Sequence, residues 1–270
     1  MDIQTYILIG AVALGPGIFW LWYLYTKETL ESEPLRLIVK VFFLGILVAV
    51  PTAFLEGVVK GLASPYLSIG ALRFLLLVMA APLIEETAKY LVVRRMIYNR
   101  VEFNKPLDGI MYAVAVALGF ATIENLQYVL TGIGLHPHNL VDPKTGAVVL
   151  DPKTGAVLQI LHFHLPWLLI VVRALLTVPG HALFSSMWGY TLGLAKFRPP
   201  ESRRWLIAQG LLMAYVGHGL FNLMTYVESQ LLLIALVILM WRVLHRHVTV
   251  DLACSPLQPV PAPLPPVKRE

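Results

Sequence analysis

Residues 161–197, LHFHLPWLLIVVRALLTVPGHALFSSMWGYTLGLAKF, decide how many times this chain crosses a bilayer. The stretch is longer than the ~20 apolar residues one membrane helix needs and short for two such helices joined by a turn. Charge settles the parity. Basic residues cluster at Lys27, Arg36 and Lys40, at Arg94, Arg95, Arg100 and Lys105, at Lys196, Arg198, Arg203 and Arg204, and at Arg242 and Arg246. Cytoplasmic loops attract Lys and Arg, and all these clusters fall on one side only if 161–197 crosses once. The remaining apolar runs are 3–25, 35–55, 72–93, 107–130, 205–226 and 231–244, and the single crossing ends near residue 194. The expected fold is therefore an all-α transmembrane bundle of seven spans, N-terminus outside and C-terminus cytoplasmic, with LHFHLPW as an interfacial or re-entrant lead-in. Eight spans is the alternative.

Composition agrees with that class. Of 270 residues, 57% are hydrophobic and only 14% charged, outside the range of soluble domains. The net charge of +5 resides in short clusters between apolar runs, which is membrane topology rather than a nucleic-acid surface. One cysteine, Cys254, excludes an internal disulfide framework and a cysteine metal cluster. No small-residue cleavage site follows the first apolar run, so that run reads as a retained span.

Two segments stand apart from a membrane domain expected over 1–250. Within an outer loop at 136–160, DPKTGAV occurs twice, from Asp142 and from Asp151. Asp opens a turn, Pro fixes φ and Gly takes a left-handed position, so the copies predict consecutive turns joining short strands. The second segment is the C-terminal tail, 251–270, whose SPLQPVPAPLPPVKRE predicts an extended or disordered cytoplasmic extension.

Nearly all polar residues inside the spans fall in four stretches: EETAK from Glu85, FATIENLQY from Phe120, HALFS from His181 and HGLFN from His218. In each, an acid or imidazole is followed four residues later by another polar group: Glu85 with Lys89, Glu124 with Tyr128, His181 with Ser185, His218 with Asn222. That spacing stacks both groups on one helix face. Depth is the sharper test. Glu85 is 15 residues from Arg100, Glu124 18 from Pro106, His181 15 from Lys196 and His218 14 from Arg204. At 1.5 Å per residue all four lie roughly 21 to 27 Å from the basic ends, in one layer of the membrane's outer half.

Each residue has a plainer reading. A single histidine can be an interhelical hydrogen-bonder, and Glu85 with Lys89 a buried ion pair between helices. Asn125, Tyr128 and Ser185 read as supporting residues. Glu56, Arg73 and Arg173 lie toward span ends and read as snorkelling side chains. His136, His138, His162 and His164 form two His-x-His pairs that read as polar surface. As a set at one depth, however, Glu85, Glu86, Glu124, His181 and His218 point to chemistry. A carboxylate that activates water, with imidazoles and another carboxylate to hold a metal or stabilise an oxyanion, is equipment for amide hydrolysis. Ser185 and Ser186 lie one turn from His181 on the same helix with no glycine-rich elbow, and phosphate-binding and dinucleotide motifs are missing. Water-mediated hydrolysis fits better than covalent catalysis.

At EETAK, LDGIMYAVAVALGFATIENLQY, HALFSSMWGY and HGLFN, over roughly 72–222, the sequence resembles the PrsW family of intramembrane proteases, related to CAAX prenyl proteases and bacteriocin-processing enzymes. The wider group has histidine four residues after the phenylalanine of its second motif, whereas Phe120 here is followed by Glu124. The resemblance implies a multi-pass endopeptidase of the bacterial cytoplasmic membrane, whose relatives cleave single-span anti-sigma factors at the outer side. The outer repeat and the proline tail are not part of the family pattern.

The candidate site residues are Glu85, Glu86, Lys89, Glu124, His181, His218 and Asn222. Either Glu85 or Glu86 takes the proton from water; Glu85 is favoured, with Glu86 oriented by Lys89 or joining a metal, since helix neighbours point ~100° apart. The expected cofactor is one divalent ion, zinc, held by Glu124, His181 and His218 with water completing the shell, as in catalytic zinc sites. In the metal-free alternative, Glu85 activates water directly and the histidines donate to the oxyanion. The expected partners are the lipid bilayer and a single-span membrane protein cut in its outer juxtamembrane part, where helix unwinding costs least. A transporter or receptor that binds ions or protons at the same groups is the competing class. It would show inverted repeats among the spans, and none is evident.

Overall fold

The structure, a computed structural model, describes residues 3–26, 33–63, 70–132 and 134–254, apart from 140, 143, 144, 146, 152, 153, 156, 158, 165 and 166. Its elements are α1 (Ile3–Thr26), α2 (Leu35–Ala63), α3 (Gly70–Met96), α4 (Pro106–Gly132), β1 (Gly134–Asn139), β2 (Gln159–His164), α5 (Trp167–Val172), α6 (Val178–Lys196), α7 (Pro200–Tyr226) and α8 (Gln230–Cys254). One π-helical turn, Arg173–Thr177, joins α5 to α6, so Trp167–Lys196 is a single crossing and the bundle has seven rods. Six of them are long and apolar enough to span a membrane; α3 is as long but carries Arg73, Glu85, Glu86, Lys89, Arg94 and Arg95.

The π-turn has a local cause. Pro179 has no N–H for the carbonyl of Leu175, and its ring crowds that carbonyl. A turn closed from Val178 N–H to Arg173 O absorbs the misfit by taking in one extra residue. The indole N–H of Trp20 on α1 donates to Ala174 O within this turn at 2.8 Å.

The bundle is built around α4. Its segment Ile110–Leu118 is buried throughout, because small and apolar residues alternate on every face. Helices α1, α2, α3 and α6 pack on it, α7 packs on α3 and α6, and α8 packs on α6 and α7. In lipid the drive for helices to associate is close van der Waals packing, which small residues permit. Gly109 on α4 faces Gly189 on α6, and Gly193 faces Pro106; a Cβ at any of these would collide with the facing helix. Gly45 and Gly119 play the same part where α2 crosses α4. Large apolar side chains such as Ile7, Leu47, Phe54 and Leu231 point outward, while Glu86, Lys89 and Asp108 are buried. That inversion is what a lipid solvent favours.

Of the interfacial or re-entrant lead-in expected at LHFHLPW, the pairing of 161–164 argues against the re-entrant form. That segment belongs to β2, which pairs antiparallel with β1 in a register running from Gly134↔His164 to Asn139↔Gln159. Pairing satisfies backbone groups that a re-entrant segment would leave open. Residues 165 and 166 lie outside the described residues. Beyond this hairpin, isolated antiparallel bridges join Val141 to Val148 around the first DPKTGAV copy and Leu150 to Val157 around the second. Asp151 Oδ1 accepts the Thr154 N–H at 3.1 Å and Gly155 adopts φ +68°, the left-handed position its sequence predicts. Helix α8 continues to Cys254, and the proline-rich segment from Ser255 lies outside the described residues.

Candidate active site

Helix α3 brings three ionisable groups to one place by spacing alone. Glu86 and Glu85 stand three and four residues before Lys89, so both reach its ammonium. Lys89 Nζ donates to Glu86 Oε1 at 2.8 Å and to Glu85 Oε2 at 3.0 Å, and lies 3.1 Å from Nδ1 of His181 on α6. It also sits 4.3 Å above the Phe120 ring of α4. Burying an ammonium in this interior is tolerable because it is paired with carboxylates, hydrogen-bonded and covered by an aromatic face.

The two glutamates differ. Glu86 is fully buried and both its oxygens are occupied: Oε1 by Lys89 and by Nδ1 of His218 at 3.2 Å, Oε2 by the Ser185 hydroxyl at 2.6 Å and the Trp188 indole at 3.0 Å. Glu86 therefore ties α3 to α6 and α7. Glu85 lines an open cavity instead. The imidazoles of His181 and His218 meet edge to face with centroids 5.1 Å apart, and His218 stacks on Phe184 at 5.0 Å.

Glu124 on α4 approaches His181 from the other side of the ring. Its Oε2 lies 2.6 Å from Nε2, without the alignment of a hydrogen bond. Its Oε1 lies 3.4 Å from a terminal nitrogen of Arg173. Arg173 is no snorkelling residue: it is 5% exposed, donates from Nε to Asn125 Oδ1 at 2.9 Å and covers the Tyr128 ring at 3.9 Å. Glu56 is likewise drawn inward, pairing with Lys60 at 3.5 Å on the cavity wall. Sequence reading missed Arg173 because its place toward a span end says nothing of the face it turns inward. The signal available was Pro179, which foretells a disturbed turn just before it.

The cavity holds about 480 Å³ between α2, α3, α4 and α7. Glu85, Phe120, Glu124 and His218 line its base; Glu56, Thr131, Tyr226 and Thr225 line it toward the C-terminal ends of α2, α4 and α7. Asn222, one turn beyond His218, is on the same wall and takes part in none of the bonds above. The cavity thus runs from the glutamate and histidine layer toward the bundle end opposite the basic loops.

The donor set suits a divalent cation. One ligand atom each from Glu85, Glu86, His181 and His218 lie within 4.8 Å of one another, and two carboxylates with two imidazoles match the preferences of zinc and its neighbours. Lys89 Nζ already stands against three of these residues, showing that the place is built for positive charge. Glu124, expected beside His181 and His218 as a ligand, is not in this group. It meets His181 at Nε2, whereas Lys89 and Glu85 face Nδ1. The two ring nitrogens point in opposite directions, so one imidazole cannot present both carboxylates to a single ion.

Helices of membrane-spanning length around a buried core helix, with carboxylates, imidazoles and an ammonium at the base of a water-accessible cavity, define a membrane-embedded hydrolase. The description PrsW family intramembrane metalloprotease matches residues 33–245, and the chain belongs to that family and is a protease. A relative from Geobacillus kaustophilus named Protease PrsW is 34% identical over 218 residues, 80% of this chain and 78% of the relative. Proteins of the same name from Bacillus subtilis and Clostridioides difficile are 28% and 27% identical, covering 79% and 87% of this chain and 81% and 87% of their own. No solved structure matches the chain. The transporter or receptor reading is not favoured by these matches.

Proposed function

We propose that this protease hydrolyses a peptide bond of a single-span membrane protein by water activated at Glu85, near the outer membrane face. One observation carries the reading: Glu85 is held by Lys89 and also borders the cavity, whereas both oxygens of Glu86 are engaged by protein donors. A water in the cavity gives a proton to the Glu85 carboxylate while its oxygen attacks the amide carbon. The carbonyl oxygen gains negative charge, which the amide of Asn222 on the same wall can meet with a hydrogen bond. Glu85 then returns the proton to the leaving nitrogen as the C–N bond breaks, and carboxyl and amine termini result. Lys89 holds Glu85 in place through both halves of the cycle.

Of the donor group, His181 and His218 would hold a divalent ion, with zinc the chemical match, and Glu86 would join them only by giving up bonds to Lys89, Ser185 or Trp188, leaving Glu85 as base. Such an ion, when bound, polarises the carbonyl and acidifies water. The basic loops α3–α4 and α6–α7 support a cytoplasmic placement for their end of the bundle, with the N-terminus outside and the C-terminus cytoplasmic. The cavity then opens outward, and an anti-sigma factor anchored by one span is the substrate the family resemblance suggests testing first.

The test is reconstitution of the protein with a single-span peptide and mass-spectrometric mapping of new termini. Cleavage in the outer juxtamembrane part, abolished by Glu85→Gln in protein that still accumulates, is the expected result. Full activity of Glu85→Gln overturns the base assignment, and a cut on the basic-loop side overturns the topology.

A further inference from the structure

Arg173 opens the π-turn and is buried at the level of the Glu124 and His181 contact. Over the eight residues to His181, an unbroken α-helix would leave Arg173 about 80° away from the His181 face, at ~100° per residue. The wider π-turn removes most of that offset, and both side chains reach Glu124. The guanidinium is held on three sides, by Glu124 Oε1, Asn125 Oδ1 and the Tyr128 ring. The mount is itself anchored. Asn125 Nδ2 donates to Val12 O at 3.0 Å and Ala13 O at 3.3 Å, and Trp20 binds Ala174 O, so α1 clamps both the residue that receives Arg173 and the turn that carries it.

We infer that Arg173 is a positioning residue of the protease, fixing Glu124 so that this carboxylate orients the His181 ring. With Oε1 held by Arg173, Glu124 presents Oε2 to Nε2 of His181. That contact sets the direction of Nδ1 toward Lys89 and Glu85. A carboxylate behind a working imidazole sets its ring orientation and tautomer. An arginine suits the task because its planar fork engages Glu124 and Asn125 from separate nitrogens in a fixed geometry, whereas an ammonium is a compact point charge on a flexible stem. The inference rests on the reading that His181 works beside Glu85, and its test separates the two.

The experiment is a double-mutant cycle in full-length reconstituted protein, using the single-span peptide and reading kcat and KM separately. Arg173→Gln should lower kcat about 10- to 100-fold with KM within about twofold, as expected for misplacement of a working group. Arg173→Lys should recover about half of that loss on a logarithmic scale, keeping the charge but losing the fork. In a Glu124→Gln background, Arg173→Gln should cost less than about threefold, because coupled residues are not additive. An equal cost with and without Glu124, or a change in KM alone, overturns the inference. If Arg173→Gln fails to accumulate, the same cycle is run with Arg173→Lys. A readout independent of activity is the ¹⁵N spectrum of the His181 ring, assigned with His181→Gln. It should shift in Arg173→Gln or Arg173→Lys and not in the exposed control Arg242→Gln; an unchanged spectrum overturns the inference. Loss of activity in Glu85→Gln with an additive cycle leaves the base assignment standing and removes Arg173 from the site.

Discussion

Lys89 Nζ and Glu86 Oε1 are 2.8 Å apart, and both side chains are fully removed from solvent. The pair is the hub of the site, since Glu86 also receives Ser185, Trp188 and His218 from two other helices. Glu86→Gln removes a charge from a buried pair and replaces one acceptor oxygen by a donor that faces other donors. The expected cost is about 3–5 kcal/mol of stability, the usual result of stripping one partner from a buried ion pair. Glu85→Gln, at the cavity wall, should cost less than half as much. Denaturant unfolding in detergent compares them; equal melting of Glu86→Gln and wild type would show that the hub is not structural.

The donor group at Glu85, Glu86, His181 and His218 bears on metal content. Purified protein should carry about one equivalent of a divalent transition ion, lost in His181→Ala and in His218→Ala, as befits a site with several protein ligands. Elemental analysis decides this. Less than about a tenth of an equivalent, with activity that survives chelators, would exclude a metal and leave the direct route through Glu85.

The α4 and α6 contact makes a stability prediction away from the chemistry. A side chain at Gly189 would press on the backbone of Gly109 and on the Cβ of Ala113. Gly189→Val should destabilise the bundle by about 1–3 kcal/mol or more, through overpacking at a crossing that cannot relax. Gly10→Ala on α1, where a Cβ meets nothing within 4 Å, is the matched control and should be near neutral. A melt in which both variants behave alike would mean that the close crossing is not needed.

Glu33, just before α2 and outside the spans, gives a pH dependence. It is buried, accepts the hydroxyl of Tyr112 and lies 3.7 Å from Lys105 Nζ. Burial first, then the Asp108 carboxyl beside it, push its pKa up from 4.5 to about 8. Between those values the folded chain keeps a proton that the unfolded chain has released. Stability from this group is therefore present in acid and is lost as pH rises through about 8. Melting temperature measured from about pH 5 to about pH 8 should fall more steeply in wild type than in Glu33→Gln. Parallel slopes would show that Glu33 does not titrate in this window.

Sequence alone determined the architecture, because hydrocarbon imposes a one-dimensional rule. A helix that crosses it needs ~20 apolar residues, and Lys and Arg mark one side, so the single crossing of 161–197 could be read from length and charge. It also determined that Glu85, Glu86, His181, His218 and Glu124 share a layer, since depth along a helix is a count of residues. What only the tertiary structure decided is direction within that layer. Rotation about each helix axis is set by packing at Gly109, Gly189 and Gly193 and by the π-turn before Pro179. These place Glu85 on the cavity and Glu86 in the interior, turn Glu124 to Nε2 of His181 rather than into the group at Nδ1, and bring Arg173 in from the lipid side. Residue order encodes depth directly, whereas facing depends on which surfaces pack most closely once all the helices are present.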